Sequence, residues 1–109
     1  MATKILLIEE FHTFYNSHPK NKIHQVHTLS GEFGVVLLKH ENAVVIKNSC
    51  PHLGVKLSSS GVVNAFGDIV CKEHGHCYSA KNGSCTEFKK ENLTIYSSEI
   101  ENDSLYAVI

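Results

Sequence analysis

Short apolar runs separated by polar turns dominate this chain. The clearest runs cover residues 4–8, 23–29, 34–39, 43–47, 77–80, 93–98 and 104–109. Runs of this length, rich in valine, isoleucine and aromatic residues and bounded by glycine, asparagine or serine, are typical of β-strands. No segment longer than about ten residues keeps a helical period, which a helix of the usual length would show. The pattern therefore predicts an all-β fold of antiparallel strands.

The order of the runs predicts a meander. Residues 4–8 suit a strand buried on both faces, and Phe11, Phe14 and Tyr15 follow as expected core residues. Residues 16–22 are polar, contain a proline and lack a period, which predicts an exposed loop. Hairpin connections are expected at residues 30–32 and 40–42, a turn at 81–83 and an acidic turn at 101–103.

Length and charge limit the classes of function. A chain of 109 residues and 12.1 kDa suits one domain, too small to combine a redox unit with a catalytic one, so we expect it to work with partners. Eleven acidic residues and ten lysines give a net charge of −1, and the sequence contains no arginine. Nucleic acid is therefore not an expected ligand, because no broad basic face can form.

The expected location is the cytoplasm, without attachment to a membrane. No apolar run approaches the roughly 20 residues needed to cross a bilayer, and residues 4–8 are too few for the core of a signal peptide. Disulfides are rare in that compartment, where a cysteine and histidine cluster more often binds metal.

Two short segments offer metal ligands. Cys50-Pro51-His52 is followed after eighteen residues by Cys71-Lys72-Glu73-His74. Each segment supplies one thiolate and one imidazole, so that folding can bring four soft-to-intermediate ligands together around metal. The sequence thus identifies Cys50, His52, Cys71 and His74 as candidate ligands.

This arrangement, with Gly75 directly after the second segment, resembles the Rieske family of iron–sulfur proteins. Flanking positions extend the resemblance: Leu57 and Gly61 after the first loop, residues 69–71 as the strand before the second, residues 74–78 running into an aromatic residue, and a turn at 82–83. The similarity is dense from about residue 43 to residue 85. Outside that window only the pattern of strands agrees.

The resemblance implies an architecture and a cofactor. It implies one Rieske domain over residues 1–109, in which a β-sandwich or small barrel of residues 1–47 and 87–109 carries an inserted cluster-binding lobe of residues 48–86. It also implies one [2Fe–2S] cluster per chain, with Cys50 and Cys71 on one iron and His52 and His74 on the other.

The charge of such a site explains the use of histidine. An oxidised core of charge 2+ with two thiolates and two neutral imidazoles sums to zero, so adding an electron costs less than in an all-cysteine cluster. Because each imidazole keeps an outer N–H, reduction should raise its pKa and couple electron transfer to a proton.

Departures from the high-potential members of the family predict a low reduction potential. Members from cytochrome bc complexes carry two extra cysteines that form a disulfide, whereas this chain has Val55 and Glu73 there. They also have a serine whose hydroxyl bonds a cluster sulfide, where this chain has His76. We therefore expect a potential of roughly −150 mV, at the low end of the Rieske range.

Zinc is the alternative metal, because two cysteines and two histidines also form a zinc ligand set. Structural zinc sites usually space the first pair by two to four residues and take both histidines from the second pair. One cysteine and one histidine in each half fit a binuclear centre better. A zinc-stabilised binding module without redox activity remains the less favoured reading.

The favoured function is a one-electron carrier that passes electrons from a reductase to an oxygenase or similar acceptor. A small subunit of a larger reductase, such as nitrite reductase, is the second hypothesis. We expect a monomer that docks weakly through His52, Leu53, Gly54 and His74, since a carrier must leave after each transfer. No nucleophile with an adjacent base can be identified, so we do not expect an enzyme acting alone.

Four further residues admit two interpretations each. Cys77 and Cys85 flank the turn at 81–83 and fit either small core residues or a disulfide. His76 is expected to be exposed to solvent, with a role beside the cluster as the alternative. Residues 86–92 lack the proline of the loop that covers the cluster in many members, and Phe88 is a candidate either for that cover or for the core.

Overall fold

The computed structural model describes residues 3–51, 54–73, 75–85 and 92–109. Over these ranges the chain forms nine strands and two short helices. Their order is β1 (Lys4–Ile8), α1 (Phe11–Ser17), β2 (Ile23–Thr28), β3 (Gly31–Leu38), β4 (Asn42–Lys47), α2 (Leu57–Ser60), β5 (Gly61–Val63), β6 (Ile69–Cys71), β7 (His76–Tyr78), β8 (Ile95–Glu101) and β9 (Ser104–Val108). The predicted all-β class is confirmed.

The strands form two antiparallel sheets. The larger sheet has six strands in the order β1-β9-β8-β4-β3-β2, and the smaller has three in the order β5-β6-β7. The predicted meander is confirmed, because β3 pairs with β2 on one side and with β4 on the other. Strands β4 and β8 are neighbours in the larger sheet. The smaller sheet is formed by the part of the chain that connects them.

Two groups of buried side chains form the core. The first packs α1 against the larger sheet and comprises Ile8, Phe11, Tyr15, Phe33, Val35, Leu37, Ala43, Val45, Leu105 and Ala107. The second joins the two sheets and comprises Ile23, Val36, Ile46, Cys50, Leu57, Ile69, Cys71, Tyr78, Cys85 and Leu93. Each fully buried leucine, isoleucine or valine contributes roughly 1.5–3 kcal/mol. Both candidate cysteine ligands thus belong to the core that holds the sheets together.

The first strand differs from the prediction. β1 lies at the edge of the larger sheet, its side chains alternate in exposure, and Leu6 is 42% exposed. The expectation of a strand buried on both faces was wrong because an edge strand covers the core with one face only. An apolar run this short cannot distinguish the two cases.

Helix α1 was not predicted, since seven residues are too few to establish a period. Phe11 and Tyr15 lie one turn apart and are buried, which confirms them as core residues, while Phe14 is partly buried. Asp103 of the β8–β9 turn caps the start of the helix, because its backbone oxygen accepts from the Phe11 N–H and its carboxylate from the His12 N–H. The acidic turn therefore orients a helix that lies 91 residues away in sequence.

Candidate metal centre

The first candidate ligand lies directly after the larger sheet. β4 ends at Lys47, and Cys50 follows with no exposed surface. The Cys50 carbonyl accepts a hydrogen bond from the Gly54 N–H at 2.7 Å, and the Cys50 N–H donates to the Val55 carbonyl at 2.8 Å. These bonds bring Gly54 and Val55 back against Cys50, so the chain turns directly after a buried cysteine.

The second candidate ligand begins a matching turn. Cys71 ends β6 and is also fully buried, and its carbonyl accepts from the Gly75 N–H at 2.7 Å. Gly54 and Gly75 both have φ of +71°, a backbone conformation that glycine adopts without steric cost. Two matching hydrogen bonds thus close the chain after each cysteine, from Gly54 to Cys50 and from Gly75 to Cys71, and we call these two closures the cysteine turns.

The histidine ligands lie outside the described residues. His52 falls within the first cysteine turn in sequence and His74 within the second, and neither belongs to the ranges that the structure describes, nor does Leu53. The structure therefore places two of the four predicted ligands, Cys50 and Cys71, in one buried cluster. Ligation by His52 and His74 stays a prediction.

A buried asparagine fixes the first cysteine turn. Asn48 is 5% exposed, and its side-chain amide donates to Ser58 Oγ at 2.9 Å while its side-chain oxygen accepts from the Ser58 N–H at 2.8 Å. This pair of bonds connects the end of β4 with α2, on either side of the turn. The sequence analysis did not identify Asn48. Its signal was a polar side chain directly after an apolar strand.

Tyr78 contacts one candidate ligand. Its hydroxyl oxygen lies 3.7 Å from Cys50 Sγ, and the side chain is 1% exposed. Burial, followed by the neighbouring Cys50, raises the pKa of Tyr78 above its usual value. The hydroxyl therefore keeps its proton at neutral pH and can donate it to a thiolate, which only accepts.

His76 is buried, which corrects the expectation of an exposed side chain. It is 6% exposed and lies in β7, where it pairs with Cys71 of β6. The prediction failed because a strand this short gave no period from which its buried face could be read.

The register separates the other two cysteines. Cys85 pairs with Tyr78 and is buried in the second core cluster. Cys77 is partly buried and accepts a hydrogen bond from Asn64 Nδ2 at 3.9 Å. Since neighbouring residues of a strand point to opposite faces, Cys77 points away from the face shared by Tyr78 and Cys85. The arrangement favours the core interpretation for Cys85.

The buried cysteines and their surroundings fit an iron–sulfur cluster. A thiolate in an apolar core is costly unless a metal or hydrogen bonds offset its charge, and Cys50 has the Tyr78 hydroxyl beside it. Both cysteine turns present an exposed glycine, so that the ends of the turns reach the surface while the sulfurs stay inside. A bound [2Fe–2S] cluster would supply one-electron redox chemistry.

None of the helices in the described part of the chain has the length and apolar character needed to span a membrane.

Comparisons with known proteins agree with this site. Residues 13–97 match the Rieske [2Fe-2S] domain, which covers most of the chain. The cholesterol 7-desaturase of Caenorhabditis elegans is 35% identical over 68 residues, or 62% of this chain. The match spans 16% of that desaturase.

Two solved structures share the fold over almost their full length. A protein described as the NADH-dependent nitrite reductase small subunit of Mycobacterium tuberculosis has a TM-score of 0.74 and 14% identity, covering 100% of this chain and 95% of its own. The ferredoxin of carbazole 1,9a-dioxygenase from Nocardioides aromaticivorans has a TM-score of 0.75 and 17% identity, covering 96% of both chains. At these identities the similarity shows the fold.

The family assignment rests on the sequence match, and the paired cysteine turns agree with it. The chain therefore belongs to the Rieske [2Fe–2S] domain family.

Proposed function

We propose that this chain holds one [2Fe–2S] cluster and carries single electrons from a reductase to an oxygenase or a similar acceptor. Cys50 and Cys71 bind one iron, and His52 and His74 bind the other. The observation that carries the proposal is the pair of cysteine turns, which begin with fully buried cysteines and close through the same 2.7 Å hydrogen bond. Family membership supports the identity of the cluster.

The electron leaves through the ends of the cysteine turns. Gly54 and Gly75 are exposed, whereas Cys50 and Cys71 have no exposed surface. A partner that docks there contacts the exposed part of the cysteine turns, since both cysteines are buried. Docking is brief and of small area, as suits a carrier that leaves after each transfer.

An oxygenase or desaturase is the favoured acceptor. The 35% identity with cholesterol 7-desaturase supports this choice, because both solved structures are less than 20% identical to the chain. The alternative is a subunit of a nitrite reductase type enzyme, supported by the match that covers 100% of this chain and 95% of the Mycobacterium tuberculosis protein. In either case the partners are redox proteins.

The cluster-binding lobe comprises residues 48–86, and residues 1–47 and 87–109 form the base. Both cysteine turns and all three strands of the smaller sheet fall inside the first range. The strands of the larger sheet fall inside the second.

Metal analysis of the purified chain tests the proposal. We expect about two irons and two sulfides per chain, a visible spectrum that partly bleaches with dithionite, and two strongly coupled nitrogens in pulsed EPR of the reduced protein. Cys71→Ser is the matched control, which should lose most of the cluster. Stoichiometric zinc, together with failure of anaerobic reconstitution with iron and sulfide, would overturn the proposal in favour of a zinc-stabilised module.

Light scattering of the pure protein distinguishes a stand-alone carrier from a permanent subunit of a reductase. A stand-alone carrier is expected to be a stable monomer. Recovery of the native chain only as part of a large, salt-resistant reductase complex would instead assign it as a subunit.

A further inference from the structure

We propose that His76 donates a hydrogen bond to the sulfur of Cys71 when the cluster is bound, and thereby raises its reduction potential. The inference rests on the proposed function and adds a residue to that site. It assigns a role to a buried imidazole that is not one of the four ligands.

The strand register places His76 beside Cys71. The two residues are directly paired across β6 and β7, and the same ladder pairs Ile69 with Tyr78. Side chains of directly opposed residues point to the same face of a sheet, with Cβ atoms about 4.5–5.5 Å apart. An imidazole ring at that spacing can reach a cysteine sulfur.

Burial favours such a contact. His76 is 6% exposed and Cys71 has no exposed surface. Hydrogen bonds of a buried imidazole are made within the fold, because bulk water does not reach the ring. The ligand sulfur is an acceptor on the same face of the smaller sheet.

The same face already carries another donor to the candidate site. Tyr78 lies two residues after His76 in β7, so both side chains point to one face. Its hydroxyl lies 3.7 Å from Cys50 Sγ. His76 and Tyr78 thus provide one donor for each of the two cysteine ligands.

Hydrogen bonds to the sulfurs change the redox equilibrium in a defined direction. The added electron increases the negative charge on the sulfurs, which strengthens each N–H···S or O–H···S bond in the reduced state. The potential rises as a consequence, since hydrogen bonds to the sulfurs are among the determinants of cluster potential. His76 should therefore make the reduction potential higher than it would be without this donor.

Three variants of the full chain, each loaded with the cluster, test the assignment by spectroelectrochemistry. His76→Phe keeps a ring but removes the donor, and the equilibrium constant for reduction should fall about tenfold, equal to about 59 mV for one electron. His76→Gln keeps an N–H donor and should stay within about threefold of the natural protein. Cys77→Ala changes the adjacent residue on the opposite face and should leave the potential unchanged.

An intact His76→Phe cluster with the potential of the natural protein would overturn the inference, and so would equal shifts in the phenylalanine and glutamine variants. The proposed function would survive both results, because the presence of a cluster in the natural chain is measured separately.

Pulsed EPR provides a second measurement if the phenylalanine variant does not retain its cluster. With ¹⁵N-labelled histidine, the natural protein should show one weakly coupled nitrogen more than His76→Gln. Identical spectra would overturn the inference.

Discussion

Cys50 and Cys71 have no exposed surface, although the reactions of cysteine depend on the charged thiolate. A buried cysteine usually acts as a small apolar residue. In these two cases the backbone carbonyl of the same residue closes a turn onto an exposed glycine. This combination of a buried sulfur and a surface turn suits a ligand better than a packing residue.

Removal of the Tyr78 hydroxyl should lower the reduction potential. Tyr78→Phe keeps the buried ring but loses the donor that lies 3.7 Å from Cys50 Sγ. A differential stabilisation of about 1 kcal/mol corresponds to a shift of roughly 40 mV, since about 1.4 kcal/mol corresponds to 59 mV for one electron. Protein-film voltammetry measures the shift. Tyr106→Phe, in β9 of the larger sheet, is the control and should show none; equal potentials in Tyr78→Phe and the natural protein would contradict the prediction.

Gly83 is a position where any added side chain would collide with the backbone. A Cβ at this position would lie 1.9 Å from the Leu93 carbonyl oxygen, and φ is +77°. Gly83→Ala should therefore lower the free energy of unfolding by about 3 kcal/mol or more. Urea denaturation measures the loss.

Gly67→Ala is the matched control for the overlap. Its φ of +82° is similar, but nothing lies within 4 Å of the added methyl group. It should cost about 1–2 kcal/mol from backbone strain alone. Equal losses in the two variants would show that the Leu93 carbonyl is not the cause.

At the scale of elements, side-chain hydrogen bonds hold the segment between β4 and β5 to the larger sheet. The pair of hydrogen bonds between Asn48 and Ser58 ties β4 to α2. Lys56 Nζ donates to Glu32 Oε1 at 3.0 Å, which ties the segment after the first cysteine turn to β3. The first link joins consecutive elements on either side of the first cysteine turn, and the second reaches back 24 residues to β3, so both position the segment that follows the turn.

Asn48→Ala should destabilise the fold because it leaves the Ser58 N–H and hydroxyl without this partner. The expected loss is about 2 kcal/mol, the usual cost of breaking a buried hydrogen-bonded pair. Thermal denaturation of the loaded protein measures it. Asn82→Ala removes a bond to the Ser84 N–H at an exposed turn and should cost clearly less; an equal cost would contradict the role of Asn48.

Strand β2 should contribute a pH dependence through His24. Burial, then the charges of His18 and Lys22, lower the pKa of His24, although a hydrogen bond to the Pro19 carbonyl opposes the shift. A lowered pKa means that the folded state disfavours the charged ring. Stability should therefore be full above the unfolded pKa of about 6.5 and fall as the pH drops below it.

Urea denaturation between pH 8 and pH 5 tests this dependence. His24→Gln should flatten the loss of stability on acidification. Gln25→Ala, which changes a neighbouring side chain of the same strand that carries no charge, should keep the natural slope. Parallel curves for His24→Gln and the natural protein would contradict the assignment.

At the scale of the molecule, we expect the cofactor to stabilise one of the two groups of buried side chains more than the other. The first cluster, around α1, contains no cysteine, whereas the second contains Cys50, Cys71 and Cys85. Metal binding contributes folding free energy where its ligands are ordered by it. Loss of the iron–sulfur cluster should thus lower the stability of the smaller sheet more than that of the larger one.

Removal of iron by a chelator should leave the larger sheet folded. Hydrogen exchange followed by mass spectrometry should show faster exchange in β6 and β7, with β2, β3 and β4 still protected. Uniform loss of protection over both sheets would show that the core clusters unfold as one unit. Re-protection after reconstitution with iron and sulfide is the control for irreversible damage.

The amino-acid sequence by itself determined the features that depend on near neighbours. The apolar runs predicted strands β2, β3, β4, β8 and β9, since side-chain alternation and turn chemistry act over a few residues. The acidic turn was predicted in the same way, and Asn102 and Asp103 adopt the positive φ typical of such hairpins. The candidate ligand motif could also be identified from the sequence, because metal binding requires particular residue types at short spacing.

Only the tertiary structure decided what lies around those ligands. The contact of Tyr78 with Cys50, the bonds between Asn48 and Ser58, and the burial of His76 join residues from different elements, so no local pattern predicts them. The edge position of β1 and the capping of α1 by Asp103 likewise depend on strand order. The sequence therefore identifies the candidate cysteine ligands, and packing between different elements determines which polar groups lie near them.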